Sequence, residues 1–491
     1  MSEGLAWALR RSGIGVHPRE WRLPPIETYP AVVGFVRTTP GKLVLFTVFA
    51  AVMMWVSEFW LESTIAAAVV SLAGPYRRYA APACTAALLV LAPHWVNFDG
   101  VEAAIEREGL LRVLHVGYFR AASLVACVPL AIAAIFLARR FRDHPLGRRP
   151  VLVQHIVCVG LLALAASQLL HGLPQVLLWS ATAIFASYFW FLAYALMDQR
   201  RRQPAPFLLQ LATFHPFFAP GTVVPMGKGA ANWQSVEAGT AEELAVTQLK
   251  GLKLLVWAFA LKAVMWMFHR VVYDRLGVVP LEIAFESFLD GGEVTVRLGL
   301  LSILANFPEQ LLNMAIWGHV IIAVARLSGF RLLRNSWRPL SSRTIAEFWN
   351  RYFYYFKEVL VHVYFYPTYL RWFKRHPRLR VAFATFMAAG AGNFFFHFIL
   401  DNQRIAKLGL LEALVRSQTY AFYCVVLAGG IIASQLRTRQ PDVAAGWLRG
   451  RLLPSLGVAL FFCFLSFFDG PQRHMSLKRH FEFLIAVFGG G

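Results

Sequence analysis

The sequence predicts an all-α polytopic membrane protein of about ten to twelve transmembrane or re-entrant helices. Two compositional facts and one pattern carry that reading. Of 491 residues, 57% are apolar and only 15% are Asp, Glu, Lys or Arg, where a soluble domain carries about 25% charged residues. The mean hydropathy is +0.52. Apolar runs close to the ~20 residues that cross the hydrocarbon core alternate with arginine-rich connections. This composition excludes an ordinary soluble domain. It also excludes a disordered chain, which needs low hydrophobicity and high charge.

Residues 1–40 carry charges and prolines. They read as an N-terminal cytoplasmic or interfacial segment without the apolar core and cleavage site of a signal peptide. Residues 41–491 read as one membrane domain. Residues 42–56 and 79–98 are candidate spans, while 63–76 is too short for a full crossing and reads as re-entrant or interfacial. Residues 121–138 form an uncharged run. Residues 151–170 and 174–197 form an uncharged pair joined by a turn at 171–174. Residues 203–243 hold Pro204, Pro206, Pro216, Pro220 and Pro225, so no single straight helix fits. Backbone broken at membrane depth persists only when buried in protein or lining a wet cavity, and 214–225 is therefore expected to pack inside and help line a cavity. Residues 253–268, 311–324, 381–400, 417–434 and 452–468 complete the set.

The net charge of +21 follows this pattern. Arg139, Arg140, Arg142, Arg148 and Arg149 fill one connection and Arg200, Arg201 and Arg202 another, as expected of cytoplasmic loops under the positive-inside rule. The turn at 171–174 then lies outside, and 326–343, with five arginines, lies in the cytoplasm. The charge is assigned to topology and anionic membrane lipids, not to nucleic acid. The five cysteines sit in apolar runs without a CxxC pair and read as small buried hydrophobes. No metal site is expected.

Ionisable groups inside apolar runs are costly and default to functional candidates. They are His155, Lys262, Glu309, His319, Glu358, His362 and His397. Each has a structural alternative. Lys262 can snorkel to an interface, His155 sits near a span end, and Glu309 after Pro308 can cap a helix start. In 341–367, Glu347, Asn350, Arg351, Lys357, Glu358 and His362 stand among aromatic residues. A helix capped by Ser341 or Ser342 places Phe348, Tyr352, Tyr355 and Val359 on one face and allows a Glu347–Arg351 pair. The alternative is an interfacial amphipathic helix with an aromatic belt. In 384–402, the small residues 388–392 allow close helix approach. Asn393 and His397 follow one turn apart, and a neutral imidazole can take a proton from a hydroxyl.

Several segments together resemble the membrane-bound O-acyltransferase (MBOAT) superfamily, in the branch of bacterial alginate O-acetyltransferases and the teichoic-acid D-alanylation membrane protein. Residues 214–225 (FHPFFAPGTVVP) are similar to its FFPxLxxGPI stretch, and 188–202 resemble its SYxxDxYR segment. Residues 251–262 resemble its GLxxxxxGLxKK helix. Gly329-Phe330 with 345–351 (IAEFWNR) resemble its GF…SxxxFWxRW motif, and 461–470 its FxxFRA segment. The resemblance runs in order over roughly residues 40–470. Two positions depart. Phe353 stands where the family's first histidine follows FWxRW, and Asn393 stands where its catalytic histidine follows GLW. His397, one turn later, takes the catalytic place or the chemistry is lost, and His362 is a third candidate.

The resemblance implies a membrane-embedded O-acyltransferase. An acyl group, acetyl by preference, passes from a cytoplasmic acyl-CoA or acyl-carrier thioester to a hydroxyl of a glycan or lipid. No cofactor is bound. His397 acts as general base, and Asn393 orients it or donates to the oxyanion. Trp349, Asn350 and Arg351, with Glu347 and His362, shape the substrate site. A periplasmic or carrier-protein partner and the bacterial inner membrane fit this role. The alternatives are an inactive MBOAT scaffold that binds or passes a lipid or acyl carrier, and a polytopic transporter or flippase.

Overall fold

The structure, a computed structural model, describes residues 25–91, 96–292, 295–437 and 446–489. These residues form helices, and the only β contact among them is an isolated antiparallel bridge between Glu237 and Phe330. Eight helices among them are long and apolar enough to cross a membrane. They are α1 (Thr39–Val56), α2 (Val116–Arg140), α3 (Leu173–Asp198), α4 (Ala241–Arg275), α5 (Val296–Leu327), α6 (Pro377–Leu400), α7 (Gln418–Leu436) and α8 (Leu448–Ser466). Trp60–Leu72 and Pro150–Ala166 are shorter apolar helices. The described residues thus form an all-helical, polytopic integral membrane protein, and the eight long helices with the two shorter ones make ten, at the lower end of the ten to twelve transmembrane or re-entrant helices expected. Of the run at 79–98, residues 92–95 lie outside the described residues, and the part before them is the helix Arg77–Leu91, opened by two arginines and holding Pro82. Of the N-terminal segment 1–40, residues 1–24 lie outside the described residues.

Side-chain hydroxyls start several of these helices. Thr38 accepts from the Gly41 N–H ahead of α1, Thr240 from Glu243 ahead of α4, and Thr295 from Leu298 ahead of α5. Each bond satisfies one of the backbone donors a helix start leaves open. Burial then sorts the spans. Over its most apolar 18 residues α3 is 72% buried and α2 only 11%, so α3 is central and α2 turns most of its apolar surface outward. Gly251 lets α5 close on α4, since a Cβ there would stand 3.0 Å from the Ala323 carbonyl oxygen. Gln248 beside it donates to the Leu327 carbonyl and to Ser71 Oγ.

Several ionisable groups inside the bundle find partners within the chain, as a low-dielectric surrounding favours. Lys262 reaches the Val56 carbonyl at the end of α1, 3.0 Å away. His155 bonds the Val151 carbonyl and the Tyr364 hydroxyl, and His319 bonds the Ala315 carbonyl. Glu309 does not cap a helix. α5 runs through Pro308, and Glu309 instead receives His269 Nε2 and the Tyr273 hydroxyl. His269 and Tyr273 lie on the π-helical last turns of α4. The Arg200 guanidinium contacts the Arg148 carbonyl, so the two basic connections share one end of the bundle.

The proline-rich stretch breaks into helices Phe207–Phe214 and Ala230–Val236 around an irregular chain. Asp198 holds it by accepting from the Ala205 N–H and from Gln210 Nε2. Phe217 and Phe218 are buried against Trp233 and Phe330. The expected inward packing of 214–225 is what the structure has, while the three cavities described below are lined by other residues.

Two π-helical stretches, Val361–Phe365 and Phe386–Gly392, meet at the small-residue strip. A Cβ on Gly392 would stand 2.5 Å from the Tyr364 ring, whereas one on Gly429 would meet nothing within 4 Å. Gly392→Ala should displace Tyr364 from His155 and lower stability by about 1–3 kcal/mol. Gly429→Ala, in a helix with open space, should be neutral or stabilising. Thermal unfolding of the two variants in detergent checks this, and equal effects would refute the packing argument.

Candidate functional site

The FWNR segment folds as two helices, not one. Thr344 caps the first, Ile345–Tyr352, by accepting from the Glu347 N–H at 3.1 Å, which displaces the expected Ser341 or Ser342 cap. The expected Glu347–Arg351 pair is present, at 2.5 Å. The helix stops at Phe353, whose backbone is non-helical at φ −136°, ψ 80°. Asn335 then starts the second helix, Tyr354–Leu360. Its backbone carbonyl accepts from the Tyr354 N–H and its side-chain oxygen from the Tyr355 N–H. The break divides the expected face. Phe348 stacks on Phe462 and Tyr352, while Tyr355 and Val359 are buried on the other helix. The Phe353 ring packs on Trp317 and Phe356.

Trp349 and Asn350 line a cavity of about 150 Å³ together with Lys357, Thr385, Ala388 and Gln435. The two π-helical stretches form part of its wall. His362 belongs to neither this cavity nor the His397 cleft. Its Nδ1 meets the Glu358 carbonyl at 2.8 Å and the Tyr194 hydroxyl at 3.3 Å. Glu358 lies between Lys228 at 2.6 Å and Lys357 at 2.5 Å. Burial pushes the Glu358 carboxyl up, but Lys357 and Lys228 outweigh it and hold the group below the usual carboxylate range.

Asn393 and His397 share the last two turns of α6 and meet α7 at Tyr420. The Tyr420 hydroxyl donates to Asn393 Oδ1 at 3.1 Å, and the His397 and Tyr420 rings lie 4.8 Å apart. Asn393 is buried, and its Nδ2 has no hydrogen-bond partner. His397 is half-buried and lines a narrow cleft of about 10 Å³ with Phe394, Phe398, Asp401, Ser417, Arg473 and His474. That volume has room for about one water. Phe356 stands between the two sites, its ring 5.8 Å from His397 and 6.1 Å from Trp349. The structure therefore joins His397 to Asn393 and keeps Trp349 and Asn350 in a separate chamber. Glu347 and Arg351 line neither space.

Residues beyond the expected set complete the cleft. Arg473, on the 3₁₀ turn Pro471–His474 after α8, places its guanidinium 5.3 Å from the Tyr420 ring centre. Asp401 lies 3.6 Å from His474 and 3.5 Å from Arg404. Burial pushes the Asp469 carboxyl up to about 6, against Arg473 and a hydrogen bond from Tyr423. Burial drives the His474 imidazole down to about 3, and the Arg404 and Arg473 charges act in the same direction. The signal for them in the sequence is a charged cluster, Asp469, Arg473 and His474, directly after the apolar run 452–468. Among the described residues, no three His, Cys, Asp or Glu side chains gather to hold a metal ion.

Fold and site together define an integral membrane protein in which an imidazole, a phenol, an amide and a set of opposite charges converge where α6, α7 and the turn after α8 meet. No protein-family profile and no curated protein matches the chain.

Asp469 and His474 should influence stability with opposite sign. Asp469 titrates higher in the fold than its ordinary 3.8, so its ionisation removes stability as pH rises from about 4 to about 6. His474 titrates below its ordinary 6.5, so the fold loses stability as pH falls below that value and the unfolded chain takes the proton. Asp469→Asn should raise the thermal midpoint more near pH 7 than near pH 4, and His474→Gln the reverse. Melting curves of both variants at the two pH values check this, and the same sign for both would contradict it.

Proposed function

We propose that the protein is a membrane-embedded O-acyltransferase of the MBOAT kind, with His397 as its base. The observation that carries this reading is the placement of His397 on a membrane-spanning helix, against Tyr420 and beside the unpartnered Asn393 Nδ2, at the edge of a charged cleft. The acceptor hydroxyl of a glycan or lipid loses its proton to His397 as its oxygen attacks the thioester carbonyl. The carbonyl oxygen becomes an oxyanion, and Asn393 Nδ2–H and the Arg473 guanidinium are the donors at hand for it. Collapse breaks the carbon–sulfur bond, leaves the new ester and expels a thiolate that takes the proton back from His397. No acyl-enzyme is needed when donor and acceptor meet in one space.

In this reading the Trp349–Asn350 chamber receives the acyl thioester of coenzyme A or a carrier protein, and Phe356 separates it from the base. Glu347 and Arg351 stiffen the helix that carries Trp349, and His362 serves the Glu358 cluster. The cleft at His397 has room for little more than water, so substrate entry must move Phe356, Phe394 or Phe398. The same closure, with Phe353 and Asn393 at the family's histidine positions, favours one rival, a scaffold that binds an acyl carrier without transfer. The bacterial inner membrane, with a periplasmic or carrier-protein partner, is the setting that fits the transferase.

Purified protein incubated with labelled acetyl-CoA and extracted envelope glycans and lipids tests the proposal. His397→Ala should lower turnover by about 10²–10⁴-fold, and His362→Ala much less, with size-exclusion profiles unchanged. A well-folded His397→Ala that keeps normal transfer would refute the base assignment. A parent protein that labels no acceptor would favour the inactive scaffold.

A further inference from the structure

The largest cavity described lies away from both sites considered above. It measures about 640 Å³ and opens between the C-terminal end of α7, the first turns of α8 and residues 343–345. That size falls within the ~300–1,000 Å³ typical of small-molecule sites. Its composition is divided. Arg343, Arg437 and Arg449 line it, and among the described residues no acidic one does. None of the three guanidinium groups forms an ion pair with a described residue. Arg437 and Arg449 are exposed and Arg343 half-buried, so the charge collects at the mouth. The remaining wall carries the hydroxyls of Thr344 and Ser434 and is otherwise apolar, with Val458 and Phe461 from α8. Gly430 lets that wall close, since a Cβ there would stand 2.7 Å from the Phe461 ring and 3.1 Å from Ile345. Gly457 keeps the space open, because a Cβ there would meet nothing within 4 Å.

We propose that this cavity is a binding site for one anionic membrane phospholipid, its phosphate held by Arg343, Arg437 and Arg449 and one acyl chain laid along Val458 and Phe461. Planar guanidinium groups pair with phosphate oxygens in bidentate fashion. Basic pockets between membrane helices suit anionic headgroups. A free phosphate would use the arginines but leave the apolar wall wet. A zwitterionic lipid would set its own cation against three like charges. The site is independent of the transfer reaction, since it shares no lining residue with the His397 cleft or the Trp349 chamber.

Native mass spectrometry of the full-length protein in detergent, with phosphatidylglycerol, phosphatidylcholine, inorganic phosphate or acetyl-CoA added, tests the assignment. One phosphatidylglycerol should be retained about tenfold more strongly than phosphatidylcholine. Gly457→Leu fills the cavity at a helical position with open space, so it should fold normally and lose the lipid. The double change Arg437→Gln with Arg449→Gln should weaken retention by about tenfold or more. Arg275→Gln, at the end of α4, should leave it unchanged. Equal retention of the two lipids would overturn the proposal, as would full retention in folded Gly457→Leu. Displacement of the lipid by inorganic phosphate or acetyl-CoA at comparable concentration would also overturn it, assigning the arginines to a soluble phosphate compound. If the double arginine variant does not fold, Gly457→Leu alone decides.

Discussion

Gly392 meets the Tyr364 ring where a side chain of its own would stand, and the arrangement of the candidate site depends on that approach. The strip around it carries alanines and glycines, so α7 comes within reach of α6 at Ala428. In lipid, helix association has little hydrophobic drive and relies on close packing and interhelical hydrogen bonds. Here both occur together. The strip brings the backbones close, and a turn further on the Tyr420 hydroxyl finds Asn393. The π-helical turns on both sides shift the residues that follow relative to an uninterrupted helix. Such local turns recur at functional sites.

A second constraint is the treatment of polar atoms away from water. Within the bundle several bond to the chain itself, as Lys262 does to Val56 and His155 to Tyr364. The end of α6 is built differently. Asp401, Arg404, Arg473, His474 and Asp469 gather around the cleft, and burial moves Asp469 and His474 in the directions that disfavour charge. Such an arrangement costs stability, and perturbed groups beside a cleft are where proton-transfer chemistry is found. Arg473 ties the parts together, since it faces Tyr420 while its charge acts on Asp401, Asp469 and His474.

The helical, membrane-spanning character was legible from apolar run length, as was the packing of 214–225 from its prolines. The breaks were less so. Pro308 suggested a helix start, yet α5 continues through it, because a missing donor can be tolerated where neighbouring helices enclose the turn. Phe353 carries no breaking signal, and the helix stops there because Asn335, distant in sequence, supplies a second start. The same limit governs the site. Spacing alone put Asn393 and His397 on one face and gave the Glu347–Arg351 pair. Tyr420 and Arg473 reach the cleft only through tertiary packing of α7 and the turn after α8. The separation of Trp349 from His397 by Phe356 is likewise a matter of packing that no local pattern encodes.

The central claim is that the chemistry of this membrane protein takes place at His397. An electron cryomicroscopy map of the protein with a non-hydrolysable acetyl thioester analogue of coenzyme A tests it most directly. The account predicts a displaced Phe356 ring and density for the analogue running from the Trp349 chamber to within about 3–4 Å of the His397 imidazole, the range of a near-attack geometry. An unchanged Phe356 with the analogue bound elsewhere, or an empty chamber at saturating analogue, would contradict it.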